Sequence, residues 1–134
     1  MSEEPVIVGD GDREWTTWPD EQIEERGAVS WKTLISAELT DSEALALGVG
    51  RVPAGAALNA HRHAQPEAYL VLDGAGELTV DGVARRVGPG DAVFIPGDAV
   101  HSLACRGERE LRFAYVFPAD SSDEVVYDFD VQAP

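Results

Sequence analysis

Hydrophobic and polar residues alternate along many short stretches of the chain, and clusters of turn residues separate these stretches. An alternation with a period of two places apolar side chains on one face of a β-strand. The pattern predicts strands over residues 31–37, 45–52, 68–72, 77–80, 83–87, 92–95, 101–105, 111–117 and 125–129. Because the strands are short and no long helical pattern lies between them, the fold class indicated is an all-β antiparallel sandwich or barrel.

The dipeptide Asp81-Gly82 marks the sharpest of the predicted turns. A two-residue hairpin loop needs positive φ angles, which Asp and Gly both tolerate, and alternating residues flank the pair on both sides. The sequence therefore predicts a type I′ hairpin between the strands at 77–80 and 83–87.

Residues 1–30 lack this alternation and are predicted to form an irregular N-terminal arm, with residues 31–134 forming one barrel domain. Within the arm, the stretch PDEQIEERG predicts one or two helical turns that end at Gly27. Trp15, Trp18 and Trp31 are isolated apolar anchors in this part of the chain.

Composition agrees with one domain and adds a strong acidic bias. The chain has 134 residues, 44% of them hydrophobic, and carries 25 acidic against 10 basic residues, for a net charge of −15. Such a charge disfavours nucleic acid as a partner. Two origins of the bias stay open: a halophilic source, where salt screens the repulsion, or ordinary acidity with a codon bias towards Arg, Ala, Gly and Val.

The cysteine count, the N-terminal sequence and the length of the apolar runs indicate a cytoplasmic protein. Cys105 is the only cysteine, so no intramolecular disulfide can form. The start MSEEPVIVGD lacks the basic and apolar blocks of a signal peptide, and no apolar run reaches membrane length, so we expect no membrane partner.

The residues that could bind a metal lie in one short stretch, residues 61–67, and at one later histidine, His101. In a strand, His61 and His63 point to the same side, and Glu67 can begin the return strand after the break at Pro66. If the fold brings the strand that begins at His101 alongside, three imidazoles and a carboxylate converge. That donor set suits divalent Fe, Mn, Ni, Co, Cu or Zn better than calcium or magnesium. Taken alone, however, the His-x-His pair is equally consistent with a polar surface pair.

The stretch GAALNAHRHAQPEAYLVLDG, residues 55–74, resembles the first motif of the cupin family, with every motif position matched. Those positions are Gly55, His61, His63, Glu67 and Gly74. The resemblance implies a double-stranded β-helix, or jelly-roll barrel. It also implies that His61, His63, Glu67 and His101 bind one divalent metal ion inside that barrel.

Residues 90–105 resemble the second cupin motif with two departures. Gly90, Pro96 and His101 match, whereas Asp98 replaces a turn glycine and Cys105 replaces an asparagine. Asp tolerates the left-handed conformation better than most residues, so we expect the turn to survive. Cys105 is interpreted as a small buried filler, because no basic neighbour is evident to lower its pKa.

Alternation along the strands also selects candidates for a substrate pocket. Tyr69 shares the face of Glu67 and can offer its hydroxyl to a substrate, although a core tyrosine is an equally good interpretation. Arg51, if it faces inward at the barrel mouth, would clamp a carboxylate, and it would turn to solvent otherwise. Tyr115 lies on a predicted interior face and is a further candidate for the pocket wall.

The resemblance leaves the activity open between classes. Cupins of this size include dioxygenases, isomerases and lyases of small organic acids, and some relatives cleave sulfonium acids by metal-assisted proton abstraction. We therefore predict a mononuclear metalloenzyme acting on a small chelating acid. The alternatives are a binding or sensor module without turnover, and a metal-free structural role. Family members commonly pair through barrel edges, which predicts a homodimer.

Overall fold

Two antiparallel sheets build the protein in the computed structural model, which describes residues 4–131. The strands are β1 Thr16–Thr17, β2 Ser30–Ile35, β3 Ala46–Val52, β4 Ala57–His61, β5 Glu67–Asp73, β6 Gly76–Val80, β7 Val83–Val87, β8 Ala92–Ile95, β9 His101–Cys105 and β10 Leu111–Phe117. A helix α1, Asp20–Arg26, and the 3-10 turns Asp10–Asp12 and Ser122–Glu124 complete the described elements.

The sheet order is that of a jelly-roll barrel. One sheet runs β1-β2-β3-β10-β5-β8 and the other β4-β9-β6-β7. Along β3, β9 and β10 every second residue is buried, which follows from the period of two in their sequences. The predicted all-β, antiparallel double-stranded β-helix is thus confirmed.

Two turns adopt the backbone that their sequences predicted. Asp81 and Gly82 both have positive φ, 47° and 84°, and join β6 to β7 so that Val80 pairs with Val83. Asp98 has φ 62°, so the aspartate takes the left-handed conformation where the second cupin motif has glycine. This turn leads into β9, which begins at His101.

Two segments differ from the prediction. Residues 57–61 form β4, which the alternation did not predict as a strand. Residues 125–129 were predicted as a last edge strand, but the segment makes only an isolated bridge between Arg62 and Asp128. Phe129 stacks on the His61 ring with 4.8 Å between centroids, so this segment is held by aromatic packing instead of a strand ladder.

The N-terminal segment pairs β1 with β2 at the edge of the larger sheet and places α1 against β4 of the smaller one. Its helix α1 ends at Gly27, as predicted, where the Gly27 N–H donates to the Ile23 carbonyl. No helix among residues 4–131 combines the length and apolar character required to cross a membrane.

Hydrophobic side chains are exposed on the outer side of the larger sheet. Leu70, Leu72 and Phe94 keep 44%, 47% and 70% of their surface exposed. The predicted homodimer stays a prediction, which light scattering of the purified protein would check.

Replacing Gly27 with alanine is expected to destabilise the protein by at least ~2 kcal/mol, since its backbone lies in a region that only glycine adopts readily. Gly27 has φ 106° and ψ 158°, and an added Cβ would overlap the Ala57 carbonyl oxygen of β4. Gly11→Ala is the matched control, because a Cβ there meets nothing within 4 Å. Urea denaturation of both variants checks this, and equal midpoints would contradict it.

Candidate metal centre

Three histidine rings meet inside the barrel because adjacent strand ends carry them. His61 ends β4, His101 begins β9, and the two residues are paired in register. His63 follows two residues after His61, and one ligand nitrogen from each of the three rings lies within 4.8 Å of the others. The exposed fractions are 1% for His61, 3% for His63 and 1% for His101.

Each of the three rings is oriented by a backbone carbonyl. The Nδ1–H of His61 donates to the Asn59 carbonyl at 2.7 Å. The Nδ1–H of His63 donates to Gln65 at 2.9 Å, and that of His101 to Ala99 at 2.8 Å. A carbonyl oxygen only accepts, so the proton sits on Nδ1 and the neutral ring offers its Nε2 lone pair, which is the arrangement of a metal-ligating histidine.

Glu67, the first residue of β5, adds a carboxylate to this group. Its Oε1 lies 3.2 Å from the Nε2 of His63 and 3.4 Å from the Nε2 of His101, and 5% of the residue is exposed. The Nε2 of His101 has no hydrogen-bond partner although it is buried. Acceptor atoms that face one another in a buried site need a cation between them, so these residues fit a metal ion.

The His61 ring is held in its neutral form. Burial, followed by repulsion from His101, lowers the pKa of His61 to about 3. A neutral imidazole at neutral pH is the form that ligates metals, so no proton has to be removed from His61 before it binds one.

A largely aromatic pocket opens beside the four residues. The enclosed cavity has a volume of about 50 Å³, and the space around it reaches about 430 Å³ when the solvent at its mouth is included. The lining residues are Trp18, Val29, Trp31, Leu58, His61, Glu67, Tyr69, Phe113, Tyr115, Phe117 and Tyr127. A ligand in this pocket would therefore contact both the candidate metal site and aromatic faces.

The structure places Tyr69 and Tyr115 in the pocket wall. Burial, followed by the charge of Glu67, raises the pKa of Tyr69 well above its ordinary value. Burial also raises the pKa of Tyr115, to about 12. Tyr69 is thus a buried hydroxyl whose pKa is influenced by the charge of a candidate metal ligand.

Arg51 is not among the residues that line this pocket, and of its two alternatives the structure shows the outward one. In β3 the inward residues are Ala46, Gly48, Gly50 and Val52, and Arg51 lies on the outer face. Its guanidinium carbon lies 4.0 Å from the centroid of the Trp15 ring. The inner face of β3 needs small residues because the Phe113 and Tyr115 rings lie against Gly50 and Gly48, where an added Cβ would clash.

Residues missed by the sequence reasoning form much of the pocket. Trp18 and Trp31 were taken only as apolar anchors, yet their rings pack at 4.6 Å and both line the pocket. Tyr127 lies 5.7 Å from the His61 ring and 5.5 Å from the His63 ring. Their aromatic character was a signal, but their distance along the chain from the motifs hid the contact.

The chain is similar to known proteins in both sequence and fold. The chain is 40% identical over 107 residues to dimethylsulfoniopropionate lyase DddW of Ruegeria pomeroyi, covering 80% of this chain and 70% of the relative. A cupin-2 domain protein from Rhodospirillum rubrum superposes with a TM-score of 0.77 at 20% identity, over 97% of this chain and 82% of that one.

A third similarity concerns a metalloprotein. Oxalate decarboxylase of Bacillus subtilis, described with Mn(II) centres, has a TM-score of 0.62 and 26% identity, covering 69% of this chain and 26% of that one. Residues 48–117 match the family model described as a cupin domain, a segment that includes all four candidate metal ligands. The motifs, the jelly-roll topology and this match agree, and the chain belongs to the cupin family.

Proposed function

We propose that this cupin is a metal-dependent lyase that cleaves a small sulfonium carboxylic acid, with dimethylsulfoniopropionate as its substrate. The observation that carries the proposal is a pocket that joins aromatic walls to Glu67 and Tyr69. The 40% identity to a lyase named for this compound supports the choice of substrate.

The pocket suits a substrate with a positive sulfonium group. Aromatic faces attract cations through the ring quadrupole, and the attraction grows when water is excluded. Phe113 and Tyr115 belong to these walls, and their exposed fractions are 3% and 9%. Apolar walls also accommodate the neutral dimethyl sulfide that the cleavage would release.

The reaction is a β-elimination with a simple balance of atoms and electrons. A base takes the proton from the carbon next to the carboxylate, and that electron pair forms the carbon–carbon double bond. The bond between carbon and sulfur breaks, and its pair stays on sulfur as the cation becomes neutral. Acrylate and dimethyl sulfide are the products, and the proton passes to solvent.

Tyr69 is the group that takes this proton. Tyr69 lies in the pocket wall together with Glu67, and a buried base must face the carbon from which it removes a proton. A divalent metal held by His61, His63, His101 and Glu67 would polarise the substrate carboxylate and offset the burial that keeps Tyr69 protonated. The surrounding rings hold the substrate and keep water from the site.

Purified protein loaded with Fe, Mn, Ni, Co, Cu or Zn is expected to release dimethyl sulfide from dimethylsulfoniopropionate, with acrylate formed in equal amount. Gas chromatography follows the sulfide and liquid chromatography the acrylate. Turnover with only one of these metals would also identify the cofactor, which the ligand types leave open.

Other outcomes of this assay separate the competing functions. Tight binding of the compound without products would overturn the lyase proposal in favour of a binding or sensor module. Oxygen consumption with small carboxylates or diketones, without sulfide release, would favour a dioxygenase instead.

A further inference from the structure

The indole N–H of Trp18 is a buried donor without an acceptor. Trp18 lines the pocket, and its Nε1 has no hydrogen-bond partner in the described structure. An unpaired buried donor loses its hydrogen bonds to water and gains none in return, which is unfavourable. Buried donors of this kind are uncommon in native proteins and call for an explanation.

Packing keeps the ring in place, so Trp18 cannot turn freely to find another acceptor. Trp31 lies 4.6 Å away, Tyr127 5.5 Å and Phe129 5.7 Å, between ring centroids. These neighbours come from both ends of the chain and enclose the indole. The described residues thus supply no acceptor for the indole N–H of Trp18.

The charge around Trp18 favours an anionic acceptor. The guanidinium carbon of Arg26 lies 4.8 Å from the centroid of the Trp18 ring and 4.8 Å from that of Phe129. Arg26 makes no ion pair within residues 4–131, and its Nε is buried without a partner.

We infer that Trp18 donates its indole N–H to the carboxylate of the bound substrate, and so orients a small organic acid in the pocket. The positive charge of Arg26 strengthens this preference and disfavours a sulfonium group at the same place. The inference rests on the proposed function for the identity of the acid. It assigns a substrate-binding residue to the N-terminal segment, outside the two cupin motifs.

The test distinguishes a hydrogen bond from the indole N–H of Trp18 from packing against its aromatic ring. Trp18→Phe keeps a ring and removes the donor, and Trp31→Phe is the matched control, because Trp31 lines the same pocket and its N–H is not among the buried unpartnered groups. Two unreactive probes are used. They are 4-methylpentanoate, which has the shape and carboxylate of the substrate, and trimethylsulfonium, which has the cation alone.

Calorimetry on the metal-loaded protein is expected to show about tenfold or greater weakening of 4-methylpentanoate binding by Trp18→Phe. Binding of trimethylsulfonium should stay within about twofold, since it has no acceptor. Trp31→Phe should not produce this difference between the probes. The KM for dimethylsulfoniopropionate should rise in Trp18→Phe, with thermal unfolding near that of the wild type.

Three results would contradict the inference about Trp18. Equal weakening of both probes by Trp18→Phe would show that the ring and not the N–H is used, and unchanged 4-methylpentanoate binding would overturn the inference. A wild type that does not bind 4-methylpentanoate overturns it as well. If the wild type binds this probe through Trp18 but releases no dimethyl sulfide, the lyase proposal fails and the carboxylate site stands.

Discussion

His101→Ala is expected to lower the affinity of the protein for its metal by more than about 100-fold, because loss of a residue that merely hydrogen-bonds to a ligand typically costs about 10- to 100-fold. Dimethyl sulfide release should fall to background with it. His101 is the one candidate ligand from the second cupin motif, and its buried Nε2 has no partner among the described residues.

The expected loss follows from the way the site is built. His101 holds its Nδ1–H on the Ala99 carbonyl and stands in register with His61 across two paired strands. Alanine removes an imidazole whose orientation is fixed before metal binding. The metal loses one ligand bond, and the remaining ligands lose a rigid neighbour. Added metal should raise the unfolding temperature of the wild type and leave that of His101→Ala nearly unchanged.

Arg62→Ala is the matched control for this experiment. Arg62 lies between two candidate ligands in the sequence, but its side chain is 48% exposed and faces Asp128 at 3.6 Å. An exposed ion pair of this kind contributes about 0–1 kcal/mol, so metal content and turnover should be kept. Elemental analysis after dialysis decides the matter, and equal metal in wild type and His101→Ala would remove the site.

The turns and the strands they separate could be predicted because short-range chemistry determines them. Asp81-Gly82 specifies a hairpin through positive φ at both residues, whatever surrounds it. Asp98 likewise forms its turn without glycine. The spacing of the two motifs then placed the candidate ligands on neighbouring strand ends, and the structure brings them together in that way.

The direction in which β3 faces could not be predicted from its own residues. Leu47 and Val49 suggested an interior face that would have included Arg51. The interior face instead carries Gly48 and Gly50, because the Tyr115 and Phe113 rings of β10 take up the space. Which face is buried thus depends on the size of side chains on the paired strand.

The aromatic half of the pocket could not be predicted for a related reason. Tyr127 follows a loop, and no motif or alternation fixes where it returns to the barrel. In the structure its ring lies 5.5 Å from Trp18, at the opposite end of the chain. Contacts between segments so far apart depend on how the whole barrel closes.

Tyr69→Phe is expected to lower turnover of dimethylsulfoniopropionate by about 10²- to 10⁴-fold, the range that general acid–base groups contribute. The variant removes one oxygen and keeps the ring, which packs 5.0 Å from Phe113. Metal content and the affinity for 4-methylpentanoate should therefore stay close to those of the wild type. Losing either would show that Tyr69 has a structural role instead.

Tyr115→Phe is the matched control, since Tyr115 is also a pocket tyrosine whose pKa burial raises, to about 12. The charge of Glu67 is the largest cause after burial of the raised pKa of Tyr69, whereas for Tyr115 it is the smallest, so Tyr115→Phe should cost less than about tenfold. Equal losses in both variants would argue against Tyr69 as the base.

The pH profile gives an independent readout of the Tyr69 proton. Burial and Glu67 raise the pKa of Tyr69, so its hydroxyl is neutral at neutral pH unless positive charge is added beside it. A base must be deprotonated to act, and its active fraction therefore grows as the pH rises towards its pKa. The rate constant kcat/KM of the wild type should rise on the alkaline side, and the residual rate of Tyr69→Phe should lack that rise. A rise that persists in Tyr69→Phe would assign the proton to another group of the pocket, because phenylalanine has none to lose.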